Sequence, residues 1–296
     1  AVHGGGFDYL EKYKLAPKEI PRDLHWFKYE AYFTWLSGFC LLAVVYYLNA
    51  KAFLIDPNVL DITPIQGIGI GIGTLIAGWI VYDLLCKSPL AKNDKALGLV
   101  IFILVSLAAW GLCNIYSGRG AYMMFGAMLG TTMVANVFFT IMPGQRKMVA
   151  ALYAGEPVDP VPGQNAKQRS VHNTYFTLPV LFTMISNHYA MTYGSEYNWL
   201  ALILLTIAGA LIRVFFVSRH GEGTPTYAAA IGAVVILIGL IVAGMPRPVE
   251  VVAGAPVIQD SQVQAIVAER CTVCHSASPT QPGWAAAPKG VMYDTI

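Results

Sequence analysis

Two cysteines separated by two residues and followed at once by a histidine, C-T-V-C-H at 271–275, are the stretch of this chain whose spacing most narrowly specifies a chemistry. The sulfurs of Cys271 and Cys274 can each close a thioether on a vinyl group of a haem, and His275 then stands next to the iron as a ligand. A lone C-x-x-C would suggest a redox dithiol or half a zinc site. The histidine that follows, and the lack of a second C-x-x-C, select covalently attached haem c. Cys40, Cys86 and Cys113 lie in or beside apolar runs and read as small buried side chains.

Other candidates are marked by the cost of placing polar groups in apolar surroundings. The block S-V-H-N-T-Y-F-T-L-P-V-L-F-T-M-I-S-N-H-Y, residues 170–189, carries His172 near one end and His188 near the other. On an ideal helix the two stand roughly 24 Å apart along the axis and about 160° apart around it, so they cannot share a metal. His188 is the candidate axial ligand for a b-type haem, and Asn187 beside it is expected to bond another helix. Pro179 between the two histidines predicts a kink. Glu30, Asp83 and Arg213 are further charges within or beside apolar runs. Arg213 or Arg169 could hold an anion, with His172 or Glu30 as base. Arg213 and His220 share a helix face, and with His25, His172 and Asn173 they predict a polar pocket.

The elements that must position these groups are membrane helices. Of 296 residues, 56% are hydrophobic and 12% charged, against roughly 25% charged in soluble domains. Seven apolar stretches, at 31–50, 63–85, 96–117, 120–142, 171–194, 197–218 and 224–245, approach the length of about 20 residues that crosses a bilayer core. The expected fold is an all-α polytopic transmembrane bundle, its partner is the lipid bilayer, and no nucleic-acid partner is expected. Pro143, Pro246 and Pro248 read as span ends. The run Q-G-I-G-I-G-I-G-T at 66–74 is embedded in a span, so Gly67/Gly71 and Gly69/Gly73 read as helix-packing pairs rather than a nucleotide loop, as do Gly126/Gly130.

Basic residues set the orientation. Fourteen Lys and Arg fall before the first span, after the even-numbered ones or near their ends, while the opposite loops hold Lys51, Arg119 and Arg247. The positive-inside rule places the first group in the cytoplasm. Seven spans then deliver the C-terminal tail to the other side, the periplasm of a bacterium, where c-type haem is attached. The expected order is a cytoplasmic segment (1–28), a membrane domain (29–246), a linker (247–258) and the start of a cytochrome c domain (259–296). The 38 residues of the tail are fewer than the roughly 40 needed to fold alone, so the cytochrome domain reads as cut short. Met292, in a Pro/Gly-rich loop, is not taken as the second axial ligand. The opening, Ala1-Val2-His3, likewise reads as the interior of a longer protein.

Several stretches resemble bacterial membrane-bound urate hydroxylases. They are H-G-G-G-F at 3–7, W-F-K-Y-E-A-Y-F-T-W-L-S-G-F at 26–39, Y-D-L-L-C-K-S-P-L at 82–90, the 170–189 block, and C-T-V-C-H followed by A-P-K-G-V-M-Y-D-T at 287–295. The resemblance implies an integral-membrane urate oxidase domain fused to cytochrome c. It implies oxidation of urate to 5-hydroxyisourate, with electrons passed to another cytochrome c or a terminal oxidase. It also implies one more helix before residue 1, making eight spans, and a longer cytochrome domain. The residues it carries over are Cys271, Cys274 and His275. The rival expectation is a membrane-anchored electron-transfer subunit of a respiratory complex, without substrate chemistry of its own.

Overall fold

The computed structural model describes residues 28–219, 226–244, 259–281 and 285–295, with the backbone alone at 2–3, 6–7 and 242–244. Apart from the strands β1 (Val2–His3) and β2 (Gly6–Phe7), which pair antiparallel, its regular structure is helical. The helices are α1 (Lys28–Leu42), α2 (Ala50–Phe53), α3 (Pro64–Lys87), α4 (Asp94–Cys113), α5 (Gly118–Asn136) and α6 (Met142–Ala154). They continue with α7 (Val161–Ile185), α8 (Ala190–Tyr193), α9 (Asn198–Ser218), α10 (Tyr227–Gly244) and α11 (Asp260–Arg270). Among the described residues, four helices are long and apolar enough to cross a membrane: α3, α4, the continuous rod Gly118–Ala154 and α9. Their outer faces carry exposed Ile, Leu, Val and Phe, as at Ile65, Ile76, Leu99 and Leu107. Such a surface is stable only against lipid or another apolar partner.

Helix α5 is the axis of the bundle. Its small residues let neighbours approach closely, and Ala121, Tyr122, Met124, Phe125 and Leu129 are almost wholly buried. A Cβ on Gly126 would run into Thr183 of α7, and one on Gly130 would just touch Val180. Gly71 of α3 faces Met124 and the hydroxyls of Tyr47 and Tyr116. The packing reading therefore holds for Gly67, Gly71, Gly126 and Gly130. It does not extend to Gly69 and Gly73, where an added Cβ would meet no neighbouring atom within 4 Å among the described residues. Residues two apart on a helix point to different sides, so one glycine pair packs and the other faces outward.

The same contacts give the directions. Trp35 bonds Thr131, and Tyr47 reaches Met124, so α1 runs antiparallel to α5. Gly126 meets Thr183 while Asn136 meets Asn173, so α7 is antiparallel to α5 as well. One end of the bundle consequently carries Asp83, Lys87, Arg146 and Arg169; the other carries Tyr46, Phe53, Arg119 and Asn187. Asn198, at the start of α9, meets Tyr122 near the start of α5; Tyr227 packs on Phe215 and Gly232 faces Leu211, so α10 runs antiparallel to α9 and ends on the second side.

Three expectations about boundaries are corrected. Pro143 does not end a span: the rod continues through it, with a π-helical segment, Val137–Ile141, immediately before. Proline cannot donate to the carbonyl four residues back, and the wider turn absorbs its ring. The fifth expected span begins at Val161, ten residues before the expected start, because Gln168 and Arg169 find polar partners on other segments instead of water. It stops at Ile185, short of His188. The ideal-helix separation of His172 and His188 therefore does not apply. Cys40, read as buried, is exposed.

Candidate functional site

The densest polar cluster lies at the Asp83 end, where α3, α5 and α7 meet. Tyr82 and Asp83 lie near the C-terminal end of α3, Asn136 ends α5, and Arg169, His172 and Asn173 occupy one side of α7. The Asp83 carboxylate binds Arg169 Nη2 at 2.8 Å and Lys87 Nζ at 2.6 Å. Arg169 is 3% exposed, and its guanidinium carbon sits 4.9 Å from the centre of the Tyr82 ring. Its Nη1 donates to Asn136 Oδ1 at 3.5 Å. Asn136 Nδ2 donates to Asn173 Oδ1 at 2.9 Å and to the Tyr82 hydroxyl at 3.2 Å. That hydroxyl lies 2.7 Å from His172 Nδ1.

The chain of donors assigns a tautomer. Tyr82 accepts from Asn136, so its own hydrogen goes to His172 Nδ1, and the neutral imidazole carries its hydrogen on Nε2. His172 thus keeps a hydrogen on Nε2 to donate. Arg169 is neutralised by Asp83 and has little reach left for a ligand. A cavity of about 350 Å³ adjoins the cluster between α3, α4 and α5, walled by Gly78, Val81, Leu104, Met128 and Phe176 with the Tyr82 ring at its edge. Its apolar walls suit no anion.

Of the sequence candidates, the structure joins His172, Asn173, Asp83 and Arg169. Glu30 and Arg213 are not among the described groups that bond His172, which pairs with Tyr82 and approaches Cys86. Glu30 stands in the first turn of α1. Arg213 lies on α9, one turn beyond Gly209, which packs on Leu178 and Pro179 of α7; its Nε is buried with no hydrogen-bond partner among the described residues. His25 and His220 lie outside the described residues. Sequence reasoning missed Tyr82 and Asn136. Both are polar residues within apolar spans, and that was the available signal. At the other end His188 is exposed, in the single turn Ser186–His188 after α7. Asn187 bonds other helices as expected, accepting from Tyr46 and Arg119.

In the tail, α11 leads into a turn holding Cys271 and Cys274, both with free thiols and half-buried. His275 Nδ1 is 2.9 Å from the Val291 carbonyl oxygen, so it donates there and its Nε2 keeps a lone pair. That is the orientation an iron-ligating imidazole needs from its outer partner. The Tyr293 amide donates to the His275 carbonyl at 2.8 Å, and Asp294 takes the Ala277 amide at 2.9 Å. Both thiols and the imidazole therefore fit attachment of haem c. Met292 is 56% exposed.

Residues 1–244 match the family described as urate oxidase N-terminal. The chain belongs to the urate oxidase N-terminal family. The match covers every helix of the bundle and ends where α10 ends, so the haem box lies beyond it. No curated protein and no solved structure gives a match. Membership ties the bundle to oxidation chemistry on urate, and its apolar helices make it a membrane protein.

Proposed function

We propose that this protein is a membrane-bound urate oxidase that hydroxylates urate with water and delivers the electrons to a c-type haem held by its own tail. The urate anion and one water yield 5-hydroxyisourate, two electrons and one proton. The observation that carries the reading is the joining, in one chain, of a bundle of the urate oxidase N-terminal family to C-T-V-C-H. Cys271 and Cys274 would bind the haem covalently and His275 Nε2 its iron; the group supplies one-electron acceptance when bound. The electrons then pass to a second cytochrome c or a terminal oxidase. By charge distribution the Asp83 end faces the cytoplasm and the haem box the periplasm of a bacterial inner membrane.

Electron tunnelling falls steeply with distance, and a bilayer core is about 30 Å thick. Oxidation at the Asp83 end would require a second redox group across the membrane. His188 stands exposed in the turn beyond the end of α7. The chemistry belongs on the side from which the tail departs.

The test uses purified full-length protein under argon. Urate should bring up the reduced absorption bands of the c haem, and Cys271→Ala should abolish them together with covalent attachment. A haem that stays oxidised with urate yet is reduced by a quinol identifies a respiratory subunit instead.

A further inference from the structure

At the end of the bundle opposite Asp83, three elements converge on one guanidinium. Arg119 is the second residue of α5, Tyr46 lies in the π-helical segment Ala43–Tyr47 after α1, and Asn187 is in the turn after α7. Arg119 Nε donates to Asn187 Oδ1 at 2.9 Å and to the Tyr46 hydroxyl at 3.2 Å. Tyr46, 3% exposed, donates its own hydrogen to Asn187 Oδ1 at 3.0 Å. The guanidinium carbon lies 4.7 Å from the Phe53 ring centre and 5.7 Å from that of Tyr46. These contacts fix the group through its Nε and its faces.

They leave its outer edge open. Among the described residues neither Nη takes part in a hydrogen bond, and no carboxylate pairs with Arg119. The contrast with Arg169, neutralised by Asp83, is direct. Asn187 is oriented too: two donors converge on its Oδ1, so its Nδ2 points elsewhere, with no partner among the described residues. Two Nη groups and one amide Nδ2 make a donor-only fork, held in place before any ligand arrives. A guanidinium so fixed matches a planar anion with adjacent acceptor atoms, bound through two parallel hydrogen bonds. α5 begins at this point, and its N-terminal end adds positive potential.

We propose that Arg119 and Asn187 bind the substrate anion, a planar purine oxyanion, on the face of the bundle from which the tail departs. The inference rests on the reading of the chain as a urate oxidase and gives that reading its substrate site. It meets the distance requirement without a second redox group. A phosphate headgroup of a lipid shares the anion chemistry, and the test must separate the two.

Binding is measured first without turnover, by equilibrium dialysis of radiolabelled urate against full-length protein whose haem has been reduced beforehand. Arg119→Gln should weaken urate binding about tenfold to a hundredfold, the loss expected for charge-assisted hydrogen bonds. Arg119→Lys, which keeps the charge but not the fork, should fall between. In turnover with oxidised soluble cytochrome c, KM for urate should rise by a similar factor, with haem content unchanged. Tyr46→Phe keeps the stacking surface, and a correctly folded variant should show a smaller loss. Urate binding equal to wild type in Arg119→Gln overturns the proposal, and loss of co-purified phospholipid in that variant would make this a headgroup site. Weakened binding in His172→Gln but not in Arg119→Gln would move the substrate to the Asp83 end and also overturn it. If wild type binds urate through Arg119 but never oxidises it, the site stands and the oxidase reading falls.

Discussion

Asp83 holds two cations at once, Arg169 inside the bundle and Lys87, 68% exposed, at its edge. Losing the carboxylate would strand Arg169, because the other groups near it are neutral: Asn136, the Asp83 carbonyl and the Tyr82 ring. Removing one partner of a buried pair costs roughly 3–5 kcal/mol. Asp83→Asn should therefore lower the resistance of the purified protein to thermal or denaturant unfolding by about that amount. Arg169→Met in the same background should recover most of it, since an apolar side chain of similar length needs no partner. A double variant no better than the single one would mean that Arg169 is not the group left stranded. The pairing itself is not legible in the sequence. Both residues stand out as charges beside apolar runs, but no spacing rule relates position 83 to position 169; only the antiparallel crossing of α3 and α7 does. Asn187 is legible because any polar group leaving a span must find another helix.

Among elements, glycine is what lets α5 and α7 cross closely, since Gly126 faces Thr183. Gly126→Val should push a side chain into Thr183 and destabilise the bundle by about 2 kcal/mol, within the usual cost of overpacking. Gly69→Ala and Gly73→Ala should be silent or slightly stabilising, because the added Cβ would meet no described neighbour within 4 Å and alanine favours a helix. Unfolding midpoints of the three variants in one detergent decide this; equal losses in all would refute the assignment of faces. Apolar length alone locates the helices along the chain, since crossing a hydrocarbon core needs about 20 apolar residues. It does not locate the start of α7. The opening stretch of α7 carries Gln164, Asn165, Lys167, Gln168 and Arg169, and Gln168 is accommodated by the Ala91 carbonyl and Asp94 on a different segment. Nor does it show the rod passing through Pro143, because a π-helical turn leaves no mark in hydropathy.

For the whole molecule the proposal has a direction: urate oxidation and electron exit share one face, opposite the basic one. Single cysteines introduced at Lys92 and at Asn58, in loops at opposite ends, should react with an impermeant thiol reagent from opposite sides in intact cells and inverted vesicles. Labelling of position 92 from outside the cell would reverse the orientation. The central claim is that urate is oxidised by electron transfer to a c-type cytochrome, with water and not dioxygen as the source of the new oxygen. The most direct test is an anaerobic titration of the full-length protein with excess oxidised soluble cytochrome c, measuring urate consumed against cytochrome reduced. Two cytochromes reduced for each urate consumed is the expected result. Urate consumption that begins only when dioxygen is admitted, with the cytochrome left oxidised, would contradict it.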